Sequence, residues 1–174
     1  MTAQASGAKA MMIVPPSHAL RGRIAPPGSK SITNRALLLA GLAKGTSRLV
    51  GALKSDDTAR MAEALVAMGV GVDEPDATTF VVHGTGRFNA PKTPLFLGNA
   101  GTATRFLTAA VALADGIVVV DGDAHMRKRP IMPLVDALRR MGVRIETETG
   151  CPPITVHGQA ALSVTQVEDR KSVV

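Results

Sequence analysis

The sequence predicts an α/β protein in which a βαβαββ unit occurs twice. Short apolar segments typical of strands alternate with amphipathic segments typical of helices along most of the chain. The letters of residues 64–70, ALVAMGV, return in altered form at residues 137–143, ALRRMGV, 73 residues later. Val-His-Gly at residues 82–84 returns at residues 156–158, 74 residues later. Two echoes at nearly one offset, each in the matching element, favour a duplicated unit over a solenoid of shorter period.

The first half of the chain predicts two helices among short strands. Residues 11–24 are apolar but interrupted by Pro15 and Pro16, which suits a short strand better than a helix. The pattern then predicts the following elements: a helix over 31–43, a strand over 47–53, a helix over 57–68 that ends at Gly69, and strands over 70–72 and 79–82.

After Pro91 the same order begins again. The second half predicts these elements: strand 95–97, helix 102–114, strand 117–120, helix 131–141, and strands 143–147 and 154–156. The predicted organisation is therefore a flexible N-terminus and strand over 1–24, a first unit over 25–90, a second unit over 91–169, and a tail of atypical sequence over 170–174.

Composition favours a protein that binds small anions. The 174 residues carry a net charge of +6 but include four Phe and neither Trp nor Tyr, so the core is expected to be aliphatic and Met-rich, and platforms for base stacking are not expected. One cysteine, Cys151, excludes an internal disulfide and fits a reducing compartment. The sequence contains neither a signal-peptide pattern nor an apolar stretch of spanning length, so a cytoplasmic location without membrane contact is expected.

The first candidate site is the start of the first helix, where residues 26–35 read PPGSKSITNR. Gly28 permits a tight turn, and Ser29 or Ser31 can cap the first helical turn, where the macrodipole is positive. Lys30 and Arg35 lie about a turn and a half apart, which suits two anions or one long ligand. The alternative is an ordinary capped helix with solvated cations, because short motifs have high false-positive rates.

The second candidate segment, residues 95–107, reads LFLGNAGTATRFL and places a glycine-bearing turn before a helix. Its residues Gly98, Asn99, Gly101 and Thr102 expose backbone that a ligand can approach closely.

The third candidate segment, residues 121–130, reads DGDAHMRKRP. A run of three cations is usually a solvated surface or a nucleic-acid patch. Arg129 is the exception, because the pattern places it directly at a helix entrance, where its guanidinium can bind a phosphate or carboxylate through two hydrogen bonds.

The remaining polar residues favour structural roles. His83 and His157 follow strands at equivalent positions of the repeat, and capping of the second helix explains at least one of Asp56 and Asp57. Neither a set of metal ligands at suitable spacing nor a P-loop occurs, so no metal or nucleotide cofactor is expected.

Taken together and in this order, the three segments resemble the 5-enolpyruvylshikimate-3-phosphate synthase family of enolpyruvyl transferases. The resemblance covers roughly residues 20–169 and includes the Gly-Ser-Lys-Ser-x-x-x-Arg, Gly-Asn-Ala-Gly-Thr and Met-x-x-Arg-Pro elements, with Ser55-Asp56-Asp57 between the first two. The related transferase that acts on uridine-diphosphate-N-acetylglucosamine has asparagine after the lysine and depends on a loop cysteine. This chain has Ser31 there, and Cys151 lies in a different turn.

The resemblance implies the substrates and the role of each site residue. The family transfers the enolpyruvyl group of phosphoenolpyruvate to the 5-hydroxyl of shikimate 3-phosphate. Lys30 would contact phosphoenolpyruvate and take part in proton transfer, Ser31 and Arg35 would hold shikimate 3-phosphate, and Arg129 would pair with phosphoenolpyruvate. The residues Asn99, Gly101 and Thr102 would shape the phosphoenolpyruvate pocket, which glyphosate also occupies. Phe106 departs from the proline of many members and puts sensitivity to glyphosate in question.

The resemblance also implies an incomplete molecule. The family has six βαβαββ units in two domains, with helices inward, and this chain would contain about two of the six. A missing C-terminal domain would supply the acidic residues, a histidine and further arginines, so the chain alone is expected to be inactive. Two alternatives remain: a non-catalytic anion-binding module, and a basic interaction protein that uses residues 127–129 on nucleic acid, a role under which the Gly-Asn-Ala-Gly-Thr element has no explanation.

Overall fold

The computed structural model describes residues 21–159 and Leu162, and it contains four helices and seven strands within them. The helices are α1 (Lys30–Leu42), α2 (Asp56–Ala67), α3 (Gly101–Ala110) and α4 (Met132–Arg140), with 3₁₀ turns at Val111–Leu113 and Met126–Lys128. The strands are β1 (Lys44–Val50), β2 (Gly71–Asp76), β3 (Thr79–Thr85), β4 (Leu95–Phe96), β5 (Ile117–Asp121), β6 (Arg144–Glu146) and β7 (Ile154–His157).

The strands form two sheets. The first has the order β1-β3-β2 and is antiparallel throughout. The second has the order β4-β5-β7-β6, and its short edge strand β4 runs parallel to β5 while the other pairs are antiparallel. The α/β class predicted from the sequence is confirmed.

The two sheets repeat one arrangement, with β1, β3 and β2 corresponding to β5, β7 and β6. The correspondence reaches single contacts. His83 Nε2 lies 2.9 Å from Asp73 Oδ2 across β3 and β2, and His157 Nε2 lies 3.1 Å from Glu146 Oε1 across β7 and β6. Both histidines therefore hold a carboxylate on the neighbouring strand, in keeping with the structural role predicted for them.

The first unit differs from the prediction at its beginning. Residues 21–29 form no strand, so the described part of this unit has the order αβαββ and lacks a counterpart of β4. Residues 1–20, which hold most of the predicted flexible N-terminus and its strand, lie outside the described residues, as does the tail at 170–174. The strand predicted over 47–53 begins earlier, at Lys44, and ends at Val50 because Gly51 turns the chain with a φ of 71°.

Glycines at equivalent positions of the two units let the last strand of each unit, β3 and β7, pass close to a helix end. A Cβ on Gly84 would collide with the carbonyl oxygens of Ala40 and Ala43, at the end of α1. A Cβ on Gly158 would collide with the carbonyl oxygen of Ala114, after α3 and its 3₁₀ extension. The predicted helix over 102–114 is thus an α-helix that tightens into a 3₁₀ turn where this strand passes.

One hydrophobic cluster joins the two units. Helices α1, α2 and α3 contact one another, and the cluster includes Leu65 and Val82 of the first unit with Leu107 and Val156 of the second. Three methionines, Met61, Met68 and Met126, are fully buried, which agrees with the predicted aliphatic and Met-rich core.

Two neighbouring polar residues of α1 are buried with different outcomes. Thr33 Oγ1 accepts a hydrogen bond from the Leu53 N–H at 3.0 Å. Asn34 is 0% exposed, and neither its Oδ1 nor its Nδ2 has a hydrogen-bond partner among the described residues.

The helices of the described region are too short or too polar for any of them to cross a membrane.

Candidate anion-binding site

The start of α1 presents the first cation of the site. Ser29 is the N-cap, and its Oγ accepts a hydrogen bond from the Ile32 N–H at 3.4 Å, so the structure uses Ser29 rather than Ser31 as the cap. Lys30 follows as the first helical residue, and its Nζ lies 2.8 Å from Asp57 Oδ2. The cap thus fixes the point at which the Lys30 side chain projects from α1, and Asp57 binds the ammonium group of Lys30.

Asp57 lies in the first turn of α2 and does not cap it. The N-cap is Ser55, whose N–H donates to Thr58 Oγ1 at 2.8 Å. The prediction that capping accounts for Asp56 or Asp57 is therefore wrong, because Ser55 and Thr58 satisfy this helix end themselves. The carboxylate of Asp57, only 22% exposed, is instead available to Lys30.

Arg35 is held between α1 and α3. Its guanidinium carbon lies 4.8 Å from the centre of the Phe106 ring, and its Nη1 donates to the Ser31 carbonyl oxygen at 3.0 Å. A guanidinium over an aromatic face is attracted to the ring and loses rotational freedom there. Phe106 therefore fixes the direction in which Arg35 points.

The start of α3 presents free backbone donors. Its N-cap is Ala100, which has no side chain able to cap. The Gly101 N–H donates to the Asn99 carbonyl oxygen at 2.9 Å, and the N–H groups that follow it in the first turn are left for a ligand at the positive end of the helix dipole. Gly101 opens this turn, and a Cβ there would lie 2.7 Å from Arg129 Nη1. The absence of a side chain at Gly101 thus lets the Arg129 guanidinium lie against the start of α3.

Arg129 does not stand at the entrance of the helix that follows it in sequence. Helix α4 begins at Met132 with Ile131 as its N-cap and Pro133 in its first turn, so Pro130 precedes the helix instead of opening it. Arg129 ends the preceding 3₁₀ turn, and its side chain reaches back to α3. The prediction that Arg129 stands at the entrance of the helix after it is therefore wrong, and its guanidinium lies beside the start of α3 instead.

Arg105 is a cation that the sequence analysis missed. From the second turn of α3 its Nη1 donates to the Gly101 carbonyl oxygen at 3.3 Å, and its Nη2 donates to the Pro130 carbonyl oxygen at 3.1 Å. Its position four residues after Gly101, on the same helix face, was the available signal. Arg105 ties the segment that carries Arg129 to α3.

These residues surround one open cavity of about 530 Å³. Its lining comprises Lys30, Arg35, Asp57, Asn99, Gly101, Thr102, Arg105, Phe106 and Arg129. The structure therefore brings together six of the seven predicted site residues from three separate segments, and Ser31 is the one that does not line the cavity. Four cations against one carboxylate give the cavity a net positive charge, which suits ligands with several negative charges.

The run of cations at residues 127–129 does not form one basic surface. Arg127 makes two hydrogen bonds to Asp121, and Arg129 turns into the cavity. The hydrogen bonds from Arg127 hold the pKa of Asp121 below its usual value. All three side chains are exposed, but Arg127 is paired with a carboxylate and Arg129 lines the cavity, which weighs against the nucleic-acid alternative.

Within residues 21–159, no group of three or more His, Cys, Asp and Glu side chains is placed to hold a metal ion. On the second sheet, Arg144 and His157 both form hydrogen bonds to Glu146. These bonds, chiefly the one from Arg144, hold the pKa of Glu146 below its usual value.

Comparison with known proteins gives one consistent result. The sequence profile of the EPSP synthase (3-phosphoshikimate 1-carboxyvinyltransferase) family matches residues 14–174. The chain is 69% identical over 157 residues to the 3-phosphoshikimate 1-carboxyvinyltransferase of Rhizobium etli, a match that covers 90% of this chain and 37% of the relative. It is 65% identical over 158 residues to the protein of the same description from Pseudomonas syringae pv. tomato, covering 91% of this chain and 38% of the relative.

The fold is similar to that of solved proteins of the same description. The EPSP synthase from Acinetobacter baumannii superposes with a TM-score of 0.78 at 32% identity, over 84% of this chain and 34% of that one. The chain thus spans somewhat more than a third of the length of the curated relatives it matches.

Proposed function

The chain belongs to the EPSP synthase family, and on that premise we propose that it forms part of a transferase that moves the enolpyruvyl group of phosphoenolpyruvate to the 5-hydroxyl of shikimate 3-phosphate. The observation that supports this proposal best is the convergence of Lys30, Arg35 and Arg129 on one cavity with the uncapped start of α3. A cytoplasmic location remains a prediction.

The charges of the cavity match the demands of this reaction. Both substrates carry several negative charges, which repel each other strongly when they are brought together in a cleft of low dielectric constant. Four cations and the N–H groups of the first turn of α3 can neutralise that charge without reorganising during the reaction. The cavity therefore supplies positive charge on several sides of a ligand before the ligand binds.

We assign roles from the family resemblance and the geometry together. Arg129 and Lys30 hold phosphoenolpyruvate, and Asn99, Gly101 and Thr102 shape its pocket, which glyphosate shares. Arg35 holds shikimate 3-phosphate. Ser31 supports Arg35, because its carbonyl oxygen accepts a hydrogen bond from the Arg35 guanidinium.

Lys30 is the proposed proton-transfer residue. The 5-hydroxyl oxygen bonds to the central carbon of phosphoenolpyruvate and gives its proton to a base, while the methylene carbon gains a proton and becomes a methyl group. The tetrahedral intermediate then loses one methyl proton together with phosphate, which restores the double bond. Asp57 holds the Lys30 ammonium at the mouth of the cavity until a substrate anion competes for it.

We propose further that these 174 residues bind the substrates without turning them over. The relatives extend well beyond the part that this chain matches, and general acids and bases of the family are expected in that part. This is also the second candidate function, an anion-binding module without chemistry. Binding without a closed site gives little stabilisation of the transition state.

The test separates binding from turnover. Shikimate 3-phosphate and phosphoenolpyruvate are titrated into the chain by calorimetry, and phosphate release is followed with heat-treated protein as the control. We expect binding but no release above the control. Release above the control would refute the proposed inactivity, and the absence of any binding would refute the proposed site.

A hybrid protein tests the transferase itself. In it, this chain replaces the matching 37% of the Rhizobium etli relative. The hybrid is expected to release phosphate, and Lys30→Met is expected to lower its rate about a hundredfold, because a positioned proton donor contributes at least that much. Lys92→Met, at an exposed lysine away from the cavity, is the matched control and should leave the rate unchanged. Equal rates for the two variants would show that Lys30 takes no part in the reaction.

A further inference from the structure

We infer that Arg127 is a positioning residue for Arg129: it fastens the turn that presents the Arg129 guanidinium to the cavity. This inference rests on the proposed function, in which Arg129 binds an anionic substrate. It adds a residue whose own charge is directed away from the cavity, toward Asp121.

Arg127 is bound to the end of β5 by two parallel hydrogen bonds. Its Nε donates to Asp121 Oδ1 at 2.9 Å, and its Nη2 donates to Asp121 Oδ2 at 2.5 Å. The Gly122 N–H also donates to Asp121 Oδ1, at 2.8 Å. The Asp121 side chain is 14% exposed, so this carboxylate is a fixed acceptor on a rigid strand and not a solvated surface group.

The chain between these partners is a closed turn. Asp123 Oδ1 accepts from the N–H groups of His125 and Met126, at 2.9 and 2.8 Å, and Met126 is completely buried below the turn. The Arg129 N–H then donates to the Met126 carbonyl oxygen at 2.9 Å. Hydrogen bonds therefore hold the chain between β5 and Arg129 along its length. The last side chain before Arg129 that anchors this segment is that of Arg127, through its bonds to Asp121.

The same turn is bonded to the loop before α3. The Leu97 N–H donates to the Asp121 carbonyl oxygen at 2.9 Å, and the Asp123 N–H donates to the Gly98 carbonyl oxygen at 3.0 Å. The bond from Arg105 to the Pro130 carbonyl oxygen closes the other side. Releasing Arg127 would loosen the end of the turn that carries Arg129 while leaving the loop before α3 bonded to β5.

Lys128 provides the matched control. It is exposed, it carries the same charge in the same turn, and no hydrogen bond or ion pair of its side chain is found within residues 21–159. Arg127→Gln and Lys128→Gln change the net charge near the cavity equally. A difference between them therefore reports the fastening and not the long-range field.

The experiment is a double-mutant cycle on the 174-residue chain with phosphoenolpyruvate as the probe. Loss of a residue that orients a metal ligand typically costs about 10- to 100-fold in affinity, and by analogy we expect Arg127→Gln to weaken binding about tenfold. Lys128→Gln should weaken it less than about twofold. In the Arg129→Gln background, Arg127→Gln should cause no further loss, because its effect passes through Arg129.

The outcomes separate the inference from the function beneath it. If Arg129→Gln leaves the affinity unchanged, the proposed role of Arg129 fails. If Arg129→Gln weakens binding but Arg127→Gln matches Lys128→Gln, or its loss persists in full in the Arg129→Gln background, the positioning role fails. Asp121→Asn keeps an acceptor for the Gly122 N–H and should reproduce the loss caused by Arg127→Gln.

A readout without ligand tests the inference even if phosphoenolpyruvate does not bind. The Nε–Hε resonance of Arg129, assigned by its disappearance in Arg129→Gln, should broaden or shift in Arg127→Gln and Asp121→Asn and stay unchanged in Lys128→Gln. An unchanged resonance in all three variants would overturn the inference. Far-UV circular dichroism confirms that each variant is folded.

Discussion

Glycine at position 101 matters through the arginine beside it. An added methyl group would lie 2.7 Å from Arg129 Nη1, the flexible end of a side chain, so the arginine must shift. We predict that Gly101→Ala weakens phosphoenolpyruvate binding by about 1–3 kcal/mol, the usual cost of overpacking, and glyphosate binding by more, because the inhibitor fills the pocket more completely. Competition titrations measure both affinities.

The control for this prediction is Gly22→Ala, since a Cβ at Gly22 would meet nothing within 4 Å. That variant should bind both ligands as the parent does. Equal losses for glyphosate and phosphoenolpyruvate in Gly101→Ala would show that the methyl group acts only by displacing Arg129 and does not reach the inhibitor.

Asn34 and Thr33 should respond to apolar substitution with opposite signs. Asn34 is buried without a partner among the described residues, so we predict that Asn34→Leu raises the free energy of unfolding by about 1 kcal/mol. Thr33→Val leaves the Leu53 N–H without its acceptor and should lower that energy by about 1–3 kcal/mol. Urea unfolding followed by circular dichroism measures both. A destabilised Asn34→Leu would mean that the amide is satisfied by a group outside the described residues.

Sequence reasoning identified the residues of the cavity that stand in glycine-bearing or cation-bearing turns. Lys30, Asn99 and Arg129 carry such local signals. Asp57 and Arg105 were missed because their roles come from contacts between elements: Asp57 reaches Lys30 across α1 and α2, and Arg105 reaches Pro130 across α3 and the following loop. Ser31 does not line the cavity, although at about 100° per residue it lies between Lys30 and Arg35 around the axis of α1, so its role in holding a substrate stays a prediction.

At the scale of elements, the crossing of β3 over the end of α1 depends on Gly84. A methyl group there would collide with two backbone carbonyl oxygens, which cannot move without breaking the helix end. We predict that Gly84→Ala lowers the free energy of unfolding by at least about 3 kcal/mol, the upper end of overpacking costs. Gly22→Ala again serves as the comparison, and a Gly84→Ala variant of parental stability would mean that strand and helix are farther apart in solution.

The connection from β5 to the turn that follows it should make stability depend on pH. The pKa of Asp121 lies below its usual value, chiefly because of the bonds from Arg127, so the folded state favours the charged carboxylate. The stabilisation is complete above the unfolded pKa near 4 and is lost as the pH falls through the lower folded pKa. We predict that Asp121→Asn is less stable than the parent at pH 7 and that this difference shrinks in strong acid.

Thermal unfolding at several pH values checks this dependence. The control is Asp115→Asn, at an exposed aspartate whose nearest cation, Arg87, is 3.9 Å away. It should change stability little at any pH. A difference between Asp121→Asn and the parent that stays constant down to pH 2 would contradict the link to this carboxylate.

Element types could be predicted well because the apolar spacing of each segment is strongly periodic, as in α2 and α4. Element ends could not. Polar residues such as Asp73 and Glu74 interrupt the apolar pattern, yet they belong to β2, because β2 is an edge strand of the first sheet and its residues other than Val72 are exposed. The end of β1 depends on Gly51, whose positive φ the sequence does not reveal.

For the whole molecule, we propose that residues 25–90 and 91–169 are two structural units that fold as one. The buried hydrophobic residues of the described region, apart from Met126, belong to a single cluster, and helices α1 and α3 contact each other across the boundary. We predict one unfolding transition for the chain. Val82→Ala and Val156→Ala, at equivalent buried positions, should each lower its midpoint, with a cost of about 2 kcal/mol for the two methyl groups lost and the cavity left.

Resolved amide resonances from β3 and β7, followed through a urea titration, test this cooperativity. In each variant the resonances of both strands should lose intensity at the same midpoint. Separate midpoints, or an effect of one substitution confined to its own sheet, would show that the two units are independent domains.

The four cations that line the cavity also make the protein's folding responsive to its solvent. In the free chain, Lys30, Arg35, Arg105 and Arg129 repel one another, and Asp57 offsets only part of that repulsion. Any anion that fits between them binds the folded chain in preference to the unfolded one and shifts the equilibrium toward the native state. We therefore predict that phosphate from a buffer is a ligand of this protein, so that the melting temperature is higher in phosphate than in chloride at equal ionic strength.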